Sequence, residues 1–187
     1  MEAKTVYFEN KGEENTDEVL RLARQRADEL GIKTIVVAST RGVTAAKAVA
    51  VFEGLRVVVV THPTGYLGPN TQEFTQENRQ IVESKGGVML TTGSPFGGLN
   101  NAMWKKFNTS VAGDIARNTL RIFGQGTKVA CEIAMMGADS GLVRVDEDII
   151  AIGGTHRGAD TALLFRPVNS QNFFDLKIRE IICKPRF

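Results

Sequence analysis

The sequence predicts an α/β fold: a three-layer αβα sandwich on a mostly parallel sheet, in one domain covering residues 1–187. Three observations carry this. Strand-like apolar runs alternate with helix-period segments through the first half, the pattern of βαβ units with right-handed crossovers. Those runs are apolar on both faces, as buried parallel strands are. The chain has 187 residues, 42% apolar and 24% charged, ordinary values for one globular domain with a sizeable core.

Residues 4–8 read as a short strand. Asn15, with Glu18 three residues on, has the spacing of a reciprocal helix cap. The helix that follows places Val19, Leu20, Ala23, Ala27 and Leu30 on one face and stops at Gly31, where a left-handed backbone costs little. Residues 33–39 form the next strand, with Ile35-Val36-Val37-Ala38 apolar throughout. Residues 44–52 read as helix and 55–61 as a second buried strand. Residues 70–84 read as a helix opened by Asn70 and Glu73, and 87–91 as a third strand.

The middle of the chain is helical. Leu99, Ala102, Met103 and Phe107 share a face, as do Ile115, Thr119, Ile122 and Phe123. After Gly124 and Gly126, residues Val129, Ala130, Ile133, Ala134 and Met136 mark a further helix that ends near Gly141. Residues 148–152, 161–166 and 176–184 read as strands. Their short spacing, with no helix between the last two, favours hairpin pairing and a mixed sheet edge. No repeat or linker divides the chain.

Composition excludes several function classes. The net charge is +2, with Lys and Arg scattered among Asp and Glu, so the basic stripe of a nucleic-acid groove is missing. The apolar runs fall far short of the roughly 20 residues that span a bilayer, so no membrane partner is expected. Residues 1–4 run into a strand without the apolar core of a signal peptide. With only two cysteines, Cys131 and Cys183, no disulfide framework is available, and a cytoplasmic location is expected. Two histidines without clustered carboxylates or thiols leave no metal site.

Four glycine-containing loops remain. Three follow an apolar strand, and in an open α/β sheet the strand C-termini line the edge where ligands bind. The loop Ser39-Thr40-Arg41-Gly42-Val43-Thr44 joins a buried strand to a helix. A helix N-terminus presents unpaired N–H groups and a partial positive charge. Ser39, Thr40 and Thr44 add hydroxyls, Arg41 a cation, and Gly42 a close backbone approach, which together suit a phosphate monoester. The loop is neither a Walker A sequence nor a dinucleotide fingerprint, and the plain alternative is a turn in which Thr44 caps the helix. In Thr61-His62-Pro63-Thr64-Gly65-Tyr66, His62 can donate to a ligand, or simply bond within the loop. Residues 91–98, with Ser94 among them, combine hydroxyls with backbone freedom. In the segment 153–161, Gly154, Thr155, Arg157, Gly158, Asp160 and Thr161 gather polar groups. Arg157 can fork onto an anion and Asp160 can accept from a ring N–H, unless the two pair with each other across the turn. Phe173-Phe174 is either core or the interface of a homo-oligomer.

Ile35-Val36-Val37-Ala38-Ser39-Thr40-Arg41-Gly42-Val43-Thr44-Ala45, followed by Leu55-Arg56-Val57-Val58-Val59-Val60-Thr61, resembles the C-terminal α/β domain of pyruvate kinase. There a Ser/Thr-Gly loop before a helix binds the phosphate of an allosteric sugar phosphate. The whole chain is similar to stand-alone archaeal and bacterial proteins built on that domain, through Val6-Tyr7-Phe8, Glu14-Asn15-Thr16, Glu132-Ile133, Gly158-Ala159-Asp160-Thr161-Ala162 and the tail from Asn172 to Arg186. The resemblance implies the αβα sandwich with one antiparallel edge strand. It also implies flavin mononucleotide (FMN) as ligand. On that basis Ser39, Thr40, Gly42 and Thr44 hold the phosphate, His62, Thr64 and Gly65 lie near the ribityl chain or ring, and residues 154–161 contact the ring or close the site. The kinase's catalytic barrel is absent, so kinase activity is not expected, and the Arg41-Gly42-Val43 centre departs from the kinase's effector loop. A flavin-binding protein is thus the leading expectation. A non-enzymatic sensor of a phosphorylated metabolite comes second. A hydrolase or transferase using His62 or Asp160 is weakest, because nothing in the sequence pairs those residues.

Overall fold

The computed structural model describes residues 2–187. In chain order the elements are β1 (Val6–Phe8), α1 (Thr16–Leu30), β2 (Thr34–Ala38), α2 (Val43–Val51), β3 (Arg56–Val60), α3 (Gln76–Ser84), β4 (Val88–Leu90), α4 (Gly98–Phe107), α5 (Ala112–Arg121), α6 (Gln125–Asp139), β5 (Ile149–Gly153), β6 (Thr161–Arg166) and β7 (Lys177–Pro185). Short 3-10 turns at Glu13–Asn15 and Ser170–Asp175 complete the set.

The strands form one seven-stranded sheet in the order β1-β7-β6-β5-β2-β3-β4. β2 pairs in parallel with both β3 and β5, and β3 with β4. The mixed part lies toward the β1 edge: β6 runs against both β5 and β7, while β1 adds outside β7 in parallel. Ile35 and Val37 of β2 point into one core, with Val19, Leu20, Ala23 and Ala27 of α1 and Ala45 and Ala48 of α2. Val36 points into the other, with Ala130, Ile133 and Ala134 of α6. Alternate residues of one apolar run therefore serve two cores, which is why the run carries no polar face.

Several boundaries move for physical reasons. Asn15 precedes α1, but its side chain makes no cap; its Nδ2 donates instead to the carbonyls of Asn10 (2.9 Å) and Gly12 (3.4 Å). Asn70 does not open a helix either. It is left-handed at φ 59°, within a loop that runs on to Thr75. Thr75 is the true cap of α3, its hydroxyl accepting from the Asn78 N–H at 3.2 Å. The apolar stripes on α4 and α5 exist without a core behind them. α4 buries none of its residues, α5 buries only Asp114, and Leu99, Trp104, Phe107, Ile115 and Ile122 are exposed. Phe173 packs edge-on against Phe96 with centroids 5.5 Å apart, and Phe174 stands exposed beyond it. No helix among the described residues is long and apolar enough to cross a membrane.

Candidate functional site

The connection β2–α2–β3 leaves β2 in one direction, and the return through α6 brings β5 to its other side. The sheet order reverses at β2, and the crevice beyond the C-terminal ends of β2 and β5 is the site such sheets use for ligands. The loops 39–44 and 154–160 flank that crevice, and the loop after β3 borders it.

The first loop is held from within. Ser39 is buried, and its hydroxyl accepts from the Ala45 N–H at 3.2 Å, so one of the free amides that open α2 is occupied. The amides of Val43 and Thr44 lie before the first intrahelical bond, which runs from Ala46 to the Gly42 carbonyl. Thr44 is buried, whereas Arg41 and Val43 are exposed. Gly42 has φ 101°, and a Cβ there would lie 2.3 Å from that of Asn78 and 2.9 Å from the Phe74 ring. The loop's back is packed against the approach to α3, and the Arg41 carbonyl accepts from Asn78 Nδ2 at 2.9 Å.

The second loop brings a histidine to the first. His62 Nε2 lies 3.5 Å from Thr40 Oγ1, and its Nδ1 stands 2.8 Å from Glu73 Oε2. The Tyr66 ring covers the imidazole with centroids 4.3 Å apart. Gln72 holds the loop closed by donating to the His62 carbonyl at 3.0 Å. Thr64 and Gly65 are exposed at the rim, Gly65 at φ 90°. Thr61 and Thr91 share a hydroxyl hydrogen bond of 2.7 Å, tying the ends of β3 and β4 together.

The last segment is a fastened turn. Asp160 has no exposed surface; its Oδ2 accepts from the N–H groups of Gly12 (3.0 Å) and Thr155 (3.1 Å), and its Oδ1 from the Thr161 hydroxyl (2.7 Å). Both oxygens are engaged within the protein, and Asp160 and Thr161 are buried. A Cβ on Gly154 would meet the Gly158 carbonyl at 2.4 Å, and one on Gly158 would meet Glu13 Cα at 2.3 Å. Arg157 is exposed, with no acidic partner among the described residues, so the Arg157–Asp160 pairing does not form. His156 beside it has φ 62°, a left-handed backbone rare outside glycine.

Ser94 does not open onto the crevice. It donates to Glu132 in α6, and Lys128 pairs with the other oxygen of the same carboxylate. Burial holds the Lys128 ammonium below its ordinary pKa, against the opposing pull of Glu132. Lys128 also lies 5.8 Å from the Phe96 ring centre, so this trio pins the loop after β4 onto α6. Sequence reasoning missed both Glu73 and the Lys128–Glu132 pair. The (i, i+4) spacing on α6 was the only available signal for the second. Among the described residues no three His, Cys, Asp or Glu cluster as metal ligands. A hollow of about 320 Å³ lies at the opposite edge, lined by Phe52, Glu53, Gly54, Ser84, Lys85 and Gly87.

The fold is that of a doubly wound α/β domain whose strand order reverses at β2. The family description "pyruvate kinase, alpha/beta domain" matches residues 17–164. The chain belongs to that family, as a pyruvate kinase C-terminal-like domain.

Proposed function

We propose that this protein binds a phosphorylated small molecule, FMN, at the C-terminal edge of its sheet, and that it is not a pyruvate kinase. The observation that carries the reading is the meeting of two loops. The α2 N-terminus offers the amides of Val43 and Thr44 beside the Thr40 hydroxyl, and His62 with Tyr66 stands across from it. An anion suits the first half of that surface and a flat ring the second. Arg157 and the exposed rim at Thr64 and Gly65 border the same crevice. Residues Ser39, Asp160 and Thr161 would shape the site through the bonds behind its wall, with Thr44 buried beside them. FMN would supply two-electron redox chemistry when bound; the chain's part is to bind it, orient it and exclude water. The compartment we assign is the cytoplasm, consistent with two buried, unpaired cysteines.

The test is the visible spectrum of purified protein after excess FMN and desalting. Retained, shifted flavin bands are expected. A protein that stays colourless refutes the flavin reading and turns the same loop toward a sugar phosphate, sensed without chemistry.

A further inference from the structure

α5 carries an apolar stripe that no described element covers. Ile115, Thr119 and Ile122 recur at helical spacing, all three are exposed, and they line a hollow of about 370 Å³ along the helix. The stripe reads almost the same in both directions, with the small Thr119 between an isoleucine four residues before it and another three after it. The charges of α5 are engaged elsewhere. Asp114 is buried and pairs with Arg117 at 2.8 Å, while Arg121 donates to Asn118 and Gln125, each at 2.8 Å. Neither arginine lines the hollow. α4 is fastened to α5 near its start, where Asn101 Oδ1 accepts from Arg117 Nη1 at 3.1 Å and a Cβ on Gly113 would lie 2.3 Å from Asn100 Nδ2. None of the 10 residues of α4 is buried, and so short a helix is marginal in water without packing.

We infer that this face is where a second copy of the chain docks, α5 against α5 across a two-fold axis at Thr119. The inference is independent of what the crevice binds. Area is the first argument. Leu99, Trp104, Phe107, Ile115, Ile122 and Phe123 are each more than half exposed. At about 150–250 Å² for a large side chain, they offer roughly 800 Å² of apolar surface, the share each partner gives to a stable interface. The largest apolar patch of an ordinary monomer is smaller, about 300–600 Å². Shape is the second argument. A two-fold contact needs a surface that complements itself. With the helices antiparallel about Thr119, each Ile115 comes beside the partner's Ile122, and the two small threonines let the backbones approach. Charge is the third. A two-fold axis sets like groups against each other, and this stripe has no exposed charge to oppose. The same contact covers Trp104, the sole tryptophan of the chain.

Sedimentation velocity over a dilution series of the full chain tests this. Wild type should run at twice the chain mass. Ile115→Asp and Ile122→Asp change exposed positions, so both should stay folded by circular dichroism and sediment as monomers. Their association should weaken roughly 30-fold or more, the loss typical of a residue at the centre of an interface. Phe174→Asp, at a side chain just as bare but on another element, should remain a dimer. Trp104 emission should lie further to the blue in wild type than in the two monomeric variants. Thr119→Cys should give a disulfide-linked dimer on mild oxidation far faster than Phe174→Cys, because only the first sits on the axis. The native thiols of Cys131 and Cys183 are buried and do not compete. A wild-type monomer throughout the series overturns the inference, and if that monomer sediments with phosphatidylserine vesicles the face belongs to a lipid surface instead. A dimer that survives either Ile→Asp change, equal Trp104 emission in dimer and monomer, or Thr119→Cys linking no faster than Phe174→Cys each overturns it as well.

Discussion

Asp160 provides the sharpest test of which residues build the crevice and which only brace it. Three donors converge on its carboxylate: the Gly12 and Thr155 amides on Oδ2 and the Thr161 hydroxyl on Oδ1. Together they tie the N-terminal segment, the 154–158 turn and the start of β6 to one buried charge. In Asp160→Ala both amides lose their acceptor inside the protein. An orphaned buried donor costs about 1–3 kcal/mol, and a small cavity adds to it, so a loss of about 3–5 kcal/mol is expected. Asp160→Asn behaves differently. Its carbonyl can take the place of Oδ2 and accept from both amides, while its NH₂ donates to the Thr161 hydroxyl, which can accept. Only the charge assistance disappears, at about 1–2 kcal/mol. Urea unfolding reads the difference. With a slope of about 2–3 kcal/mol per molar, the midpoint should fall by about 1–2 M for Ala and by about 0.5 M for Asn. The Asn variant should still retain FMN. Equal midpoints for the two variants refute the bonding scheme. Loss of FMN from a well-folded Asn variant refutes the placing of Asp160 behind the wall.

Two further outcomes follow from buried groups. Lys128→Met leaves Glu132 charged, buried and held by Ser94 alone, which should cost about 3–5 kcal/mol. The double variant Lys128→Met, Glu132→Leu should recover most of that in the same urea assay, and a double variant as unstable as the two singles combined contradicts the pairing. Burial pushes the Cys131 and Cys183 thiols up to about 12 from 9.0. Neither should react with a disulfide reagent at neutral pH until the protein unfolds. Because the native state keeps these protons longer than the unfolded one, stability should be intact below pH 9 and decline as pH rises toward 12. Rapid native labelling, or stability that grows over that range, refutes the burial argument.

The parallel half of the fold was legible because its strands are buried on both faces. Ile35-Val36-Val37 and Val57 to Val60 needed no partner information to be recognised. The helical stripes were legible as helices but not as core. Leu99 and Ile115 recur at helical spacing whether or not anything lies behind them, and periodicity carries no knowledge of the neighbour. The loops at the strand ends could be located from the βαβ order, since topology alone places them on one edge. Their internal bonds could not. His62 and Glu73 are separated by a loop whose path depends on the left-handed turns at Gly65 and Asn70, and Ser94 reaches Glu132 across thirty-eight positions. The same acid that read as a helix-opening residue is, in three dimensions, the partner of the histidine. Local spacing favoured the cap, and the approach of β3's loop to α3 decided otherwise.

Gly42 shows how one residue can satisfy two explanations, and why its mutation is a poor arbiter between them. The sequence reading assigns it to a close approach of backbone and phosphate. The structure supplies an independent need for glycine: φ 101°, where side chains are rarely tolerated, and a rear wall of Asn78 and Phe74 already in contact. Any side chain there displaces the approach to α3 and, with it, the segment that carries Glu73. Gly42→Asp would therefore abolish ligand binding even if no phosphate ever touched the loop. Thr40 has neither constraint. It is half-buried, its backbone is free of left-handed strain, and among the described residues its hydroxyl has His62 as its sole side-chain partner. Removing that hydroxyl leaves the rear wall intact, so the proposed phosphate contact is better tested at Thr40 than at Gly42.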